Sequence, residues 1–414
     1  MHMSDALLSV EVGVGFWLVS GAGIALSSRK VQTHQTQAMV PMMGMLGAFV
    51  FAAQMLNFSI PGTGSSGHLA GGILLSILLG GHAAFLVMAS VLVVQALLFA
   101  DGGLLALGAN MVNLGIIPCY LVYPLLCRPL LENSSKSDKI KRLRVILATI
   151  LTAQLGSLGV VLETWLSGRA DLPWQPFLLV MQPIQLVMGT LEGFITVAVL
   201  RFLHHARTEW QGNFQSAQIG KAVHAGMESG IRNRKERPRL PLVAGLALLC
   251  ATVLPWYAST KPDGLEFSIA RLSAATGLRQ SPGIVHQDLA QLQHRLALMP
   301  KYELKQPDLQ AGPHQPGETP HPAGPQQPGE TPHPAGPQQP GETPNAAKSP
   351  AGSRHPESRS LDIQANQNRP WGTPDAEKSL AGLLGGIVTL GLLLGVGWLS
   401  APRRRSATAD PTHE

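Results

Sequence analysis

The sequence predicts an all-α polytopic membrane protein, with a helical bundle of about seven segments, two further transmembrane helices and a disordered extracytoplasmic linker. Three observations carry this prediction. Of the 414 residues, 45% are hydrophobic and only 14% are charged, which is apolar for a chain of this length. The apolar residues come in runs long enough to cross a bilayer. A polar insert between residues 258 and 379, rich in Pro and Gly, interrupts these runs.

Nine membrane segments are predicted in chain order. The first seven, of which the third is short enough to be re-entrant, cover about 6–26, 39–57, 68–79, 82–100, 104–126, 143–165 and 176–203. The eighth covers 240–257 and the ninth 380–399. The chain therefore divides into a membrane domain, a cytoplasmic connector, a second part with two transmembrane helices, and a cytoplasmic tail, with boundaries at 1–205, 206–238, 239–400 and 401–414.

The basic residues predict how these segments are oriented. Lys and Arg cluster after segments one, five and nine and around residues 204–238, which all fall on one side if there are nine segments. The positive-inside rule makes that side cytoplasmic. The amino terminus, the 60–67 loop and the 258–379 region are then extracytoplasmic, and the carboxyl terminus is cytoplasmic. We expect a multi-pass protein of the cell (inner) membrane. The net charge of +6 reflects these flanks and does not indicate nucleic-acid binding.

Two further expectations concern a signal peptide and the cysteines. No basic region or convincing cleavage site accompanies the first apolar run, so no cleavable signal peptide is expected. The three cysteines lie in or beside apolar segments and show no CxxC site or disulfide framework: Cys119, Cys127 and Cys250.

Residues 315–338 of the polar insert form a tandem repeat. The segment Gln315–Gln326 recurs at Gln327–Gln338, and a third copy decays. Pro and Gly at this density predict an extended, disordered linker from about 300 to 379. The histidines that decorate it could gather metal weakly, but a neutral linker explains them equally: His314, His321 and His333.

The first two residues form a candidate chelator. The α-amine of Met1, the amide nitrogen of His2 and the His2 Nδ1 can close two rings on one ion, leaving one equatorial position open. Planar nitrogen coordination suits Ni(II) or Cu(II), and imidazole also suits cobalt. The alternative is a histidine that merely follows the initiator methionine.

A Gly-rich loop supplies a candidate fourth nitrogen. Residues 60–72 hold several glycines and a proline between two apolar segments, and His68 is predicted to open the next helix. Irregular backbone at the membrane boundary requires protein or a polar cavity around it, and an ionisable residue there is a functional candidate. His68 and Met1-His2 fall on the same predicted side. The alternative is an interfacial histidine hydrogen-bonded to the loop.

Several polar side chains in or beside apolar segments allow two interpretations. They either bond across helices as structural contacts or orient the rings of His2 and His68. The residues in question are Gln95, Asp101, Asn110 and Asn113. Glu192 in segment seven requires a partner or a proton. No nucleophile–base pair, phosphate loop or Walker motif is present, so we expect no catalytic residues and no ATPase activity in this chain.

Several separated motifs resemble one known family. They are the Met-His start, Gly62–Leu69, Leu98–Gly103 with Leu107–Asn110, and Gly189–Thr196. On these, residues 1–205 resemble the CbiM/NikM family, the substrate-capture components of cobalt and nickel energy-coupling-factor (ECF) transporters. The stretch after segment eight is similar to the PDGLE motif of the small CbiN/NikN component, through Pro262, Asp263, Gly264, Leu265 and Glu266. The chain is therefore similar to a fusion of the two components.

The resemblance implies a site and partners. In the family, metal is held by residues that correspond to Met1, His2 and His68. Many relatives have a histidine where this chain has Gln185, which puts a role for that position in doubt. The implied cargo is Co(II), for cobalamin synthesis, or Ni(II), for nickel enzymes, with no resident cofactor. The implied partners are a Q-type transmembrane coupling protein, O-type cytoplasmic ATPases and membrane lipid, but no nucleic acid.

Two alternatives belong to other classes. A membrane metal sensor or chaperone would need no ATPase partner. An intramembrane metalloenzyme would need a general base near the metal, for which Asp5 and Asp101 are the nearest acidic residues.

Overall fold

The computed structural model describes residues 2–34, 39–129, 137–169, 172–208, 240–259, 261–276, 283–304 and 375–399. The helices of the first part are α1 (Val10–His34), α2 (Met39–Gln54), α3 (Gly72–Leu79), α4 (Gly81–Phe99), α5 (Leu107–Met111), α6 (Asp138–Ser167) and α7 (Trp174–Thr208). The second part contributes α8 (Leu240–Val253), α9 (Gly264–Thr276), α10 (Ile284–Leu296) and α11 (Ala376–Leu399). Short 3-10 turns cover Asp5–Leu7, Leu254–Tyr257 and Pro300–Tyr302.

The helices confirm an all-α polytopic membrane protein. Within the described part of the chain, six helices combine the length and the apolar composition needed to span a bilayer: α1, α4, α5 with its continuation, α6, α7 and α11. The apolar helix α2 and the stretch Leu248–Tyr257 are shorter. Each of the nine predicted segments holds a helix, although several bounds differ. The first helix begins at Val10 because residues 2–8 form a separate hook, and the last begins at Ala376 rather than at 380.

Helix α5 continues as a π-helix over Val112–Cys127. Pro118 and Pro124 lie inside it, and proline has no N–H and collides with the carbonyl one turn earlier in an α-helix. The wider π turn accommodates an interrupted hydrogen-bond ladder. The inner face of this segment remains packed, with Cys119, Val122 and Cys127 buried.

Helix α4 lies at the centre of the bundle. Its side chains Phe85, Met88 and Leu92 are buried in a core that α1, α2 and α5 complete. Helices α6 and α7 pack closely because two glycines of α7 face α6. A Cβ on Gly189 would lie 2.8 Å from the Ile150 Cα, so only glycine permits this approach.

A β-hairpin enters the bundle ahead of α3. Strand β1 (Asn57–Ser59) pairs antiparallel with β2 (Ser66–His68), and His68 lies opposite Asn57. The prediction that His68 opens a helix is therefore wrong: helix α3 begins at Gly72, after Gly71 adopts a φ of 79°. Eight residues of α3 span only about 12 Å, against about 28 Å for α4, so the hairpin reaches down between the longer helices.

The described residues between α8 and residue 304 are largely helical. Helices α9 and α10 and the Pro300–Tyr302 turn occupy part of the polar insert, which the composition alone did not predict. The repeats at Gln315–Gln338 and most of the predicted linker and connector lie outside the described residues, as does the carboxyl-terminal tail.

Candidate metal centre

The N-terminal hook, residues 2–8, is held inside the protein. The Met3 N–H donates to the Asn110 Oδ1 at 2.8 Å, and the Asn110 Nδ2 donates back to the Met3 carbonyl at 3.2 Å. The Gly103 N–H donates to the same carbonyl at 3.0 Å. The Met3, Leu7 and Leu8 side chains are fully buried. The backbone beside His2 is therefore fixed by an amide side chain that reproduces the bonding pattern of a neighbouring strand.

A second anchor holds the hook at Asp5. Its Oδ1 accepts the Ala106 N–H at 2.9 Å, and the carboxyl group fills the space where Gly103 lacks a side chain. Burial raises the pKa of Asp5, and bonds from backbone N–H groups oppose this rise. Asp5 thus acts in the structure as a backbone anchor of the hook.

The hairpin positions His68 from the opposite side. Gly62 and Gly64 have φ values of 79° and 80°, which only glycine adopts readily, and they close the turn between β1 and β2. The His68 Nδ1 lies 3.1 Å from the Leu69 carbonyl. A carbonyl only accepts, so this bond places the proton on Nδ1 and the ring lone pair on Nε2.

Two buried side chains secure the backbone that follows His68. The Glu192 carboxyl group accepts the Ala70 and Gly71 N–H groups at 3.0 and 2.9 Å. The Gln54 Nε2 donates to the Ala70 carbonyl at 2.7 Å. Glu192 thereby has the partners that its burial in α7 requires.

The structure brings the rings of His2 and His68 together. Their centroids are 4.8 Å apart, and their planes differ by 15°. The His2 side chain is only 5% exposed. Burial lowers the pKa of each imidazole from 6.5 to about 3. Both rings are therefore neutral at pH 7, the form in which imidazole donates a lone pair to a metal.

Two of the other predicted residues face His2. The Asp101 Oδ1 lies 3.4 Å from the His2 Nδ1. The Gln95 Nε2 donates to the Gln54 Oε1 at 2.8 Å. The Gln95 Oε1 and the His2 Nε2 are buried without a hydrogen-bond partner among the described residues.

Asn113 lies elsewhere in the bundle, where it donates to the two carboxyl oxygens of Glu163. Met1 lies outside the described residues, so its amine stays a predicted ligand.

Ser259 and residues 261–263 add a third edge to the hairpin. The Ser66 N–H donates to the Pro262 carbonyl at 2.8 Å, and the Ser66 Oγ donates to the Lys261 carbonyl at 2.7 Å. Ser66 and Asp263 form a parallel bridge. The Ser259 N–H donates to the Asn57 carbonyl at 2.8 Å. The PDGLE segment therefore docks through its backbone onto the strand that carries His68.

Close packing around Gly264 explains why the PDGLE segment has a glycine at this position. A Cβ there would lie 2.7 Å from the Ile184 Cγ2 and 3.2 Å from the Gln185 Nε2. Gln185, which stands where many relatives have a histidine, thus lies against the PDGLE segment. Leu265 is buried, while Glu266 is exposed at the start of α9.

Three residues of the second part, which the sequence did not single out, contact the hook and its surroundings. The His286 Nε2 lies 2.8 Å from the Leu8 carbonyl. The Gln293 Nε2 donates to the Gly102 carbonyl at 2.6 Å. The Tyr302 hydroxyl donates to the Asp101 Oδ2 at 2.5 Å. These contacts join positions about two hundred or more residues apart in the chain, so only a homologous structure could have pointed to them.

Both parts of the chain match known families. Residues 2–210 match the family described as "Cobalt uptake substrate-specific transmembrane region", and residues 237–324 match the family described as "PDGLE domain". A protein of Archaeoglobus fulgidus, named as the fused nickel transport protein NikMN, is 33% identical over 209 residues, which are 50% of this chain and 67% of that protein.

Two further similarities extend the comparison. The cobalt transport protein CbiM of Geobacter sulfurreducens is 27% identical over 307 residues, which are 70% of this chain and 83% of that protein. A crystal structure of a truncated transition metal transporter is 28% identical, covers 50% of this chain and 99% of its own, and has a TM-score of 0.43.

Proposed function

This chain belongs to the CbiM family, fused to a PDGLE domain, and we propose on this premise that it captures Co(II) or Ni(II) for an energy-coupling-factor importer. At the coarser level it is a membrane component of cobalt or nickel transport, as its relatives are named. The proposal adds the ligand set, the coupling to ATPases and the direction of transport.

The pair of neutral imidazoles carries this proposal. His2 and His68 are 4.8 Å apart, centroid to centroid, in a setting that lowers the pKa of both to about 3. Buried neutral histidines carry no charge to pair with carboxylates, but each offers a ring lone pair to nickel or cobalt. The hook and the hairpin that carry them are each fixed by backbone hydrogen bonds, so the two donors are preorganised.

Two imidazoles leave two positions of a planar four-coordinate ion to be filled. The amine of Met1 and the amide nitrogen of His2 supply them in the proposed chelate. The amine and the amide must lose protons when the ion binds, so binding is coupled to proton release. Planar nitrogen coordination favours nickel over cobalt, and the fused nickel transport relative points the same way.

The chain itself has no catalytic role in this proposal. A Q-type membrane protein and O-type ATPases use ATP to drive release of the ion into the cytoplasm. The basic residues that flank the segments support an orientation with the hook and the hairpin outside the cell and the carboxyl terminus inside. The metal then enters from the outside and meets the chelate first.

Replacing either imidazole tests the proposal. His2→Ala and His68→Ala should each weaken binding of Ni(II) and Co(II) at least a hundredfold, measured by competition with a metal-sensitive dye on the purified full chain. His294→Ala, which removes an exposed histidine of α10, is the matched control and should bind normally. Uptake in cells should require the partner ATPases, which separates an importer from a sensor or chaperone. Normal binding by both site variants would refute the chelate.

A further inference from the structure

We propose that Asp263 of the PDGLE segment is the charge partner of the metal chelate, so that the second part of the chain contributes a determinant of metal affinity to the site of the first. This inference rests on the proposed function. Asp263 acts through its negative charge and is not a ligand. The consequence is that the PDGLE part takes part in ion capture itself and not only in assembly.

The backbone places Asp263 beside the chelate. Asp263 bridges to Ser66, and the adjacent Pro262 carbonyl accepts the Ser66 N–H at 2.8 Å. Ser66 and His68 are two residues apart in β2, so their side chains lie on the same face of the strand. The hairpin therefore carries His68 and the Asp263 backbone as one rigid unit.

The carboxyl group of Asp263 is held in place by the helix that it opens. Its Oδ1 accepts the Leu265 N–H at 2.9 Å and the Glu266 N–H at 2.8 Å. Asp263 is therefore the N-terminal cap of α9. The Ser268 Oγ donates to the Gly264 carbonyl at 2.6 Å and tightens the same turn. A fixed carboxylate loses little entropy when a cation arrives, which makes its charge effective.

The electrostatics of the site favour such a charge, in addition to that of Asp101, whose Oδ1 lies 3.4 Å from the His2 Nδ1. A divalent ion bound by amine, amide and two neutral imidazoles carries a net charge of about +1 once the amide is deprotonated. Burying an uncompensated charge is costly, and a single carboxylate offsets it. The two backbone N–H groups that donate to the Asp263 carboxylate favour its charged form.

The same carboxylate suits the site before the ion binds. The α-amine of Met1 carries one positive charge at pH 7 as long as no ion is bound. Exchange of one divalent ion for the amine proton and the amide proton leaves the net charge of the site unchanged. Asp263 can therefore face a single positive charge in both states without moving.

Two substitutions of Asp263 separate charge from structure. Asp263→Asn keeps an oxygen that can cap α9 and removes the charge, whereas Asp263→Ala removes both. The full chain in nanodiscs is titrated with Ni(II) and with Co(II), and thermal unfolding is followed in parallel. Asp288→Asn, at an exposed acid of α10, is the matched control for loss of one negative charge. His68→Ala reports on the chelate itself.

The expected result is that Asp263→Asn binds both ions about 10- to 100-fold more weakly than the wild type, as is typical when an outer partner of a metal ligand is lost. Its unfolding temperature and the d–d spectrum of its nickel complex should stay unchanged, and Asp288→Asn should bind normally. Wild-type affinity in Asp263→Asn, with or without a loss in Asp263→Ala, would overturn the inference. An altered spectrum would overturn it as well, because Asp263 would then be a ligand. If His68→Ala loses binding while Asp263→Asn binds normally, the role of Asp263 is refuted and the proposed function stands.

Discussion

Asn110 offers the sharpest test of how the hook prepares the site. Asn110→Ala removes the acceptor of the Met3 N–H and the donor to the Met3 carbonyl. The carbonyl keeps its bond from Gly103, so one buried N–H loses its partner. Leaving such a group unpaired costs about 1–3 kcal/mol, which corresponds to a loss of about 5- to 150-fold in metal affinity. The loss of affinity should be nearer fivefold if the burial of Leu7 and Leu8 keeps the hook in place.

The assay compares two asparagines three residues apart. Asn113→Ala also removes a buried amide, but one that donates to Glu163 and not to the hook. Both variants are titrated with Ni(II) in competition with a dye, and their thermal unfolding is recorded. Asn110→Ala should lose affinity and Asn113→Ala should lose only stability. Equal affinities in the two variants would refute the role of Asn110 in presenting His2.

Two further predictions concern the protons and the amine of the site. Because the pKa of His2 and His68 is lowered to about 3, both rings stay neutral as the pH falls from 7 to 5. Protons released on Ni(II) binding in this range should therefore come from the amine and amide alone, about two per ion by calorimetry in buffers of different ionisation enthalpy, and release of three or four would contradict the low pKa values. Inserting one Ala between Met1 and His2, or adding an N-terminal tag, should abolish metal capture, whereas a tag after Glu414 should not. Normal uptake by the N-terminally tagged chain would exclude the amine as a ligand.

Hydropathy and topology predicted the architecture well. Apolar runs define where membrane helices form, because every backbone polar group in a bilayer must be bonded internally. The placement of His2 and His68 on one side followed from the parity of the segments, and the structure places their rings in contact. The sequence does not predict the start of α3, because a three-residue strand such as β2 leaves no periodic pattern.

The supporting contacts could not be derived from the sequence. Glu192 was seen to need a partner, but the partners are backbone N–H groups of Ala70 and Gly71, which no side-chain pattern reveals. The contact of Tyr302 with Asp101 joins residues 201 positions apart. Such pairs depend on how the second part folds back over the first. Its helix α10 carries Gln, His and Asp among its apolar residues, so composition did not mark it as structured.

The third edge that Ser259 and residues 261–263 add to the hairpin belongs to the same polypeptide as the hairpin itself. As separate proteins, the two parts would have to meet by diffusion, through the bonds of Ser66 and Ser259 and through the apolar contacts of Leu265, Leu272 and Met299 with the first part. Joined in one polypeptide, they meet within one molecule, at an effective concentration of the order of millimolar for linked modules. The hairpin and its third edge are therefore present in a fixed one-to-one ratio. The third edge accompanies His68 in every copy of the chain, and no separate partner has to be recruited.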